Sequence, residues 1–207
     1  MNQTDPSAGS DRRPRRPLLV LVAPALLAGL AALAATGLAR LSLPAAFVFL
    51  PFALPVAIWV AWSDMKTMKI PNKAVFALVG VFAVVGLIAL PLEAWAWRWA
   101  HLGVVLVIGF LMSTFGMVGA GDAKFAAAMA PFVALPDTGS FLALFAAVTL
   151  SALVTHRMVR RIGAVRRALP DWESWERRDF PMGLALAGAL IFYLALSGTL
   201  GLIASST

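Results

Sequence analysis

The chain has 207 residues, 61% of them hydrophobic and only 13% charged, with a mean hydropathy of +0.86. A soluble domain carries about 25% charged residues and lacks long apolar runs, so water alone is excluded as the solvent of this fold. The formal net charge of +7 does not point to nucleic acid, because the basic residues sit in short segments beside apolar runs and not on a soluble module; the absence of cysteine excludes disulfides, thiolate zinc sites and cysteine nucleophiles.

Residues 1–17 are polar, with Pro6, Pro14 and Pro17 and the arginines Arg12, Arg13, Arg15 and Arg16, and are expected to form a disordered basic tail. The apolar run Leu18–Ala39 is preceded by that basic region and ends in small residues, as a signal peptide does. It exceeds the 7–15 residues of a signal core, which favours a retained anchor, an extra first span over residues 18–40. Six more spans follow over residues 43–204: Leu43–Trp62, Ala74–Leu90, Ala100–Val118, Ala123–Leu135, Ser140–Thr155 and Met182–Ala204. The expectation is an all-α polytopic membrane protein of about seven helices, a six-helix unit plus one extra N-terminal span.

If each span crosses once, the basic tail, the segment with Lys66, Lys69 and Lys73, the turn with Lys124 and the loop 156–180 fall on one side, which the positive-inside rule makes cytoplasmic. The opposite loops carry Arg40, Glu93, Arg98 and Asp137, and Trp95, Trp97 and Trp99 read there as an interfacial belt. In the loop 156–180, Met158, Ile162, Val165 and Leu169 recur at helical spacing among Arg157, Arg160, Arg161, Arg166 and Arg167. That pattern predicts an amphipathic helix lying in the interface on anionic lipid, with a partner-docking helix as the alternative.

Carboxylates near membrane spans are rare because they lose hydration there, and they mark function by default. Asp64 closes the second span and Asp122 opens the fifth, so the topology sets both at one membrane depth. Asp64 stands in Ser63-Asp64-Met65-Lys66-Thr67-Met68-Lys69-Ile70-Pro71-Asn72, a D-x5-I-P-N pattern; Asp122 stands in Gly119-Ala120-Gly121-Asp122-Ala123-Lys124, a G-x-G-D motif; and Pro181-Met182-Gly183 precedes the last span as P-x-G. With these three elements the chain resembles the type IV prepilin peptidases, closest to the short branch associated with tight-adherence (Flp-type) pili. The likeness covers roughly residues 43–204. It implies an aspartic endopeptidase of the bacterial inner membrane, acting in pilus assembly and type II/IV secretion. Such an enzyme cuts the basic leader of prepilins at the cytoplasmic face with no metal and no cofactor. By motif match Asp64 and Asp122 carry over as the catalytic pair. The longer members' N-methyltransferase activity accompanies a cysteine-rich domain, which this chain lacks. A presenilin-like protease shares G-x-G-D, but Ser63 stands where its tyrosine would precede the aspartate.

The residue types suit the chemistry. Two neighbouring carboxylates share a proton; the ionised one activates water and the protonated one polarises the scissile carbonyl. Helix direction alone makes Asp122, at a helix start, the base and Asp64 the acid. Gly119 and Gly121 leave room for substrate backbone beside Asp122 and permit φ > 0, or serve as a plain turn. Pro71 stops one helix and Asn72 caps the next. Lys124, in a first helical turn, reads either as a ligand for an acidic substrate group or as a positive-inside marker. Pro181 and Gly183 shape the site. The expected partners are the prepilin, membrane lipid and the pilus machinery. A proton-coupled transporter, with carboxylates near the midplane, and a non-catalytic scaffold of a secretion machine are the readings from other classes.

Overall fold

The structure, a computed structural model, describes residues 43–205 apart from 178. The tail 1–17 and the first span lie outside the described residues. Seven helices follow in chain order: α1 (Leu43–Thr67), α2 (Asn72–Ala89), α3 (Leu92–Thr114), α4 (Ala120–Met129), α5 (Thr138–Val159), α6 (Gly163–Ala168) and α7 (Met182–Ser205), with short 3-10 turns after α4 and before α7. No strand occurs among the described residues. Four stretches, Ala45–Thr67, Asn72–Ala89, Leu92–Thr114 and Leu135–Val159, are long and apolar enough to cross a membrane, and Met182–Ser197 is a shorter apolar helix. The chain is an all-α polytopic membrane protein.

Lipid gives no hydrophobic drive for helices to associate, so close packing by small residues must supply it. That is how the two central helices are built. α1 packs most extensively on α7; α1 buries Ala46, Ala53 and Ala57, and α7 buries Ala185, Ala187 and Ala189. Away from that seam, Phe49, Phe82 and Phe132 meet with ring centroids 5.0–5.9 Å apart and join α1, α2 and the turn after α4. Large side chains such as Phe76, Ile88, Val107 and Phe110 remain exposed, as an outer surface facing acyl chains requires.

Three features depart from the sequence reading. Helix α3 begins at Leu92 and not at Ala100, because Pro91 N-caps it. Trp95 and Trp99 consequently turn inward, Trp99 edge-on to Phe82 at 5.3 Å, and only Trp97 is exposed. The fifth span is a ten-residue helix, since Pro131 follows α4 and leads into a 3-10 turn. The long interfacial helix in 156–180 is absent: α5 runs through Met158 to Val159, the chain turns at Arg160–Ile162, and α6 holds six residues only.

Of the charged residues assigned to the opposite loops, Asp137 and Arg98 turn inward. Asp137 is buried, and its Oδ2 accepts from the Tyr193 hydroxyl at 2.8 Å, while that hydroxyl accepts from the Ala134 N–H at 3.1 Å. Arg98 donates to the carbonyls of Pro131 and Phe132 at 3.2 Å each. Proline breaks α4 and frees these backbone groups; side chains from α3 and α7 satisfy them, as a backbone inside lipid requires.

Candidate active site

The ends of α1, α2, α4 and α7 converge on Asp64. This residue lies in the last turn of α1 and is 5% exposed. One of its oxygens, Oδ2, accepts the backbone N–H of Gly183 at 2.7 Å. Gly183 is the second residue of α7, so the carboxylate sits where the amide dipoles of that helix favour negative charge. Glycine is required there by space. A Cβ on residue 183 would stand 2.9 Å from both Cβ and Oδ2 of Asp64.

Asp122 enters from the first turn of α4. Its position depends on Gly109 of α3, where a Cβ would meet the Cβ of Ala123 at 2.9 Å; the missing side chain lets α4 start against α3. Both aspartates line one cavity of about 400 Å³, together with Met68, Lys69, Ile70, Asn72, Gly119, Ala120, Gly121 and Lys124. The segment between α1 and α2 forms one wall. It departs from α1 at Met68, whose φ of 51° places it in the left-handed region while its N–H closes the last turn on Asp64 O at 2.9 Å. Ser63 Oγ then donates to Lys69 O at 2.9 Å and fixes the turn.

Of the roles the sequence suggests for the two glycines of G-x-G-D, a positive φ is not found; among the described residues Gly116 is the glycine that has one. Gly119 is the N-cap of α4 with φ −64°, and a Cβ there would meet Asp122 Oδ2 at 2.7 Å. At Gly121 the neighbour is Ile70, whose Cβ would be 3.4 Å from the added atom. Each glycine therefore admits part of this chain, an aspartate tip or the I-P-N segment, beside α4. Asn72 does not cap α2. Pro71 is the N-cap, and Asn72 Oδ1 instead faces Lys124 Nζ at 3.5 Å across the cavity rim.

The structure thus brings Asp64, Asp122, Gly119, Gly121, Lys124 and Asn72 to one cavity and sets Gly183 against its back wall. Pro71 and Pro181 do not line it; they begin helices, Pro181 being buried just before α7 and accepting the Leu184 N–H at 3.3 Å. Lys69 and Met68 line the cavity too, and the D-x5-I-P-N spacing alone did not single them out.

A helical membrane protein whose two carboxylates line one cavity at helix ends defines a class, the polytopic membrane proteins with an acidic pair at helix termini. The profile of the type IV leader peptidase family, Peptidase_A24, matches residues 51–156, about half of the chain, and the chain belongs to that family. The match runs from α1 through α5 and so contains both aspartates. No curated protein and no solved structure matches the chain.

Proposed function

We propose that this peptidase is an aspartic endopeptidase in which Asp64 and Asp122 together activate one water against one peptide carbonyl. Its substrate is the leader of a type IV, Flp-like prepilin, cut at the cytoplasmic face of the bacterial inner membrane. The observation that carries the reading is the shared cavity: two carboxylates from separate helices line one space at the helix ends. Both lie at helix termini and not at mid-helix, the placement a protease of membrane-anchored substrates needs and a midplane proton relay does not.

Two carboxylates in one site hold one proton between them, since like charges at close range do not both ionise. The hydrogen bond from Gly183 N–H stabilises charge on Asp64 directly. Asp64 is therefore the resting anion and general base, and Asp122 carries the proton to the carbonyl oxygen. This reverses the assignment from helix direction alone. The dipole at the end of α1 disfavours an anion on Asp64, but the α7 N-terminus supplies an explicit donor, and Asp122 has no such partner among the described residues. General acid–base assistance of this kind contributes typically about 10²–10⁴-fold each way. Lys69 and Lys124 line the same cavity and are placed to meet an acidic or carbonyl group of the bound peptide.

The test is co-expression with candidate prepilins, read as a leader-sized mobility shift. Asp64→Asn and Asp122→Asn keep side-chain size, so the protein should insert normally while each abolishes processing. The double variant should be no worse than either single one, as residues acting as one unit are non-additive. Near-normal processing by either single variant would refute the two-aspartate mechanism.

A further inference from the structure

Where α5 turns into α6, two cavities flank one corner of the chain. The first, about 700 Å³, is walled by Arg157, Arg160, Arg161 and Arg166 with Gly163. Arg160 donates to the Arg177 carbonyl at 3.0 Å, but among the described residues none of the four guanidiniums is paired with a carboxylate; the nearby ion pair is Arg177–Glu173, at 3.3 Å. Four unneutralised cations around one space make a site for an anion, and guanidinium forks fit phosphate oxygens.

The second cavity, about 420 Å³, is apolar and runs between α5 and α7 under Trp172 and Trp175. Val159 and Val165 line it, and each is followed in sequence by an arginine of the first cavity. Successive helical residues point about 100° apart, so the same corner shows charge on one side and an apolar groove on the other. The groove also has two polar points. Ser151 and His156 are 7% and 6% exposed, both line it, and Ser151 Oγ and His156 Nε2 have no hydrogen-bond partner among the described residues. Buried polar atoms are normally satisfied, so these two call for acceptors or donors supplied by an occupant.

We propose that this corner binds one anionic glycerophospholipid, its phosphate among Arg157, Arg160, Arg161 and Arg166 and one acyl chain in the groove beneath Trp172 and Trp175. His156, beside Arg157 in sequence, and Ser151, deeper along α5, are placed to meet the glycerol ester oxygens. Of the anions that would satisfy the arginines, a lipid alone also fills the groove; free phosphate or an acidic peptide leaves it empty. The site is separate from the aspartate cavity, with which it shares no lining residue.

Native mass spectrometry of the full chain from mixed micelles of phosphatidylglycerol and phosphatidylcholine tests this. The wild type should retain one phosphatidylglycerol in preference to phosphatidylcholine. The combined Arg157→Gln, Arg161→Gln and Arg166→Gln variant should lose that preference at least about tenfold, since each basic residue near an anionic lipid surface contributes about a factor of five. Ala152→Phe, which plugs the groove without touching an arginine, should lose the lipid as well. In the wild type, phosphatidylglycerol with brominated chains should quench tryptophan fluorescence, and Trp172→Phe should reduce that quenching; this readout stands even if a plugged variant misfolds. The proposal is overturned if the glutamine variant keeps its preference or if bromine quenching is unaffected by Trp172→Phe. It is equally overturned if excess inorganic phosphate, or an acidic peptide, strips the bound lipid, which would make the arginines a bare anion site or a peptide surface.

Discussion

Replacing Gly183 by alanine would put a methyl carbon 2.9 Å from Cβ and Oδ2 of Asp64 and 3.0 Å from its Cγ. Non-bonded carbons settle at about 3.5–4.0 Å, so the aspartate would have to retreat by roughly 0.5–1 Å. That retreat lengthens the 2.7 Å bond from Gly183 N–H, and a hydrogen bond to a charged group contributes about 1.5–3 kcal/mol. A misplacement of about 1 Å in a catalytic group costs on the order of 10²-fold, and the two effects describe one displacement, so kcat/KM should fall about 10²-fold and not by their product. The assay is cleavage of a purified prepilin in detergent, with thermal unfolding measured in parallel. Gly80→Ala is the matched control: a Cβ there meets nothing within 4 Å, and alanine in a helix interior is favoured over glycine by about 1 kcal/mol. Wild-type turnover by Gly183→Ala, in a protein that melts like the control, would show that Asp64 does not need the α7 N-terminus for catalysis.

Gly119→Ala should reduce cleavage more than Gly121→Ala. The first drives a methyl to 2.7 Å from the Asp122 carboxylate, whereas the second makes a 3.4 Å contact with Ile70; equal losses in kcat/KM would contradict this order. Tyr193→Phe removes the donor to Asp137 and the acceptor for Ala134 N–H, which should cost about 1–3 kcal/mol of stability, read as a lowered Tm in detergent, while the folded protein cleaves at the wild-type rate. Because the chain has no cysteine, single cysteines at Thr67, Gly163 and Glu93 can be labelled without background. An impermeant thiol reagent added to intact cells should reach position 93 and neither of the others, and labelling at 67 from outside would invert the proposed orientation.

Much of this protein was legible in one dimension because the bilayer imposes a local rule. Backbone groups in lipid find no water to bond, and a helix satisfies nearly all of them within itself, so long apolar runs such as those in α1, α2 and α5 declare themselves as helices without reference to their neighbours. The acidic pair was legible for a related reason. A carboxylate at a membrane edge is costly enough that Asp64 and Asp122, each at a span end, stood out from the apolar background.

What depended on the third dimension was everything set by one element meeting another. Pattern alone could not show that α3 starts eight residues early, because its first two turns are rich in tryptophan and carry Arg98, which finds partners only when the turn after α4 offers it two carbonyls. Nor could helical spacing in 156–169 reveal the break at Arg160–Ile162; the apolar positions Val165 and Leu169 are held instead by the groove between α5 and α7. At the aspartates the limit is sharpest. The motifs named the residues, yet the backbone N–H that Asp64 accepts comes from Gly183, far along the chain. Sequence spacing records the direction of the helix that carries a residue, but a hydrogen-bond donor arriving from another helix exists only once the chain has folded.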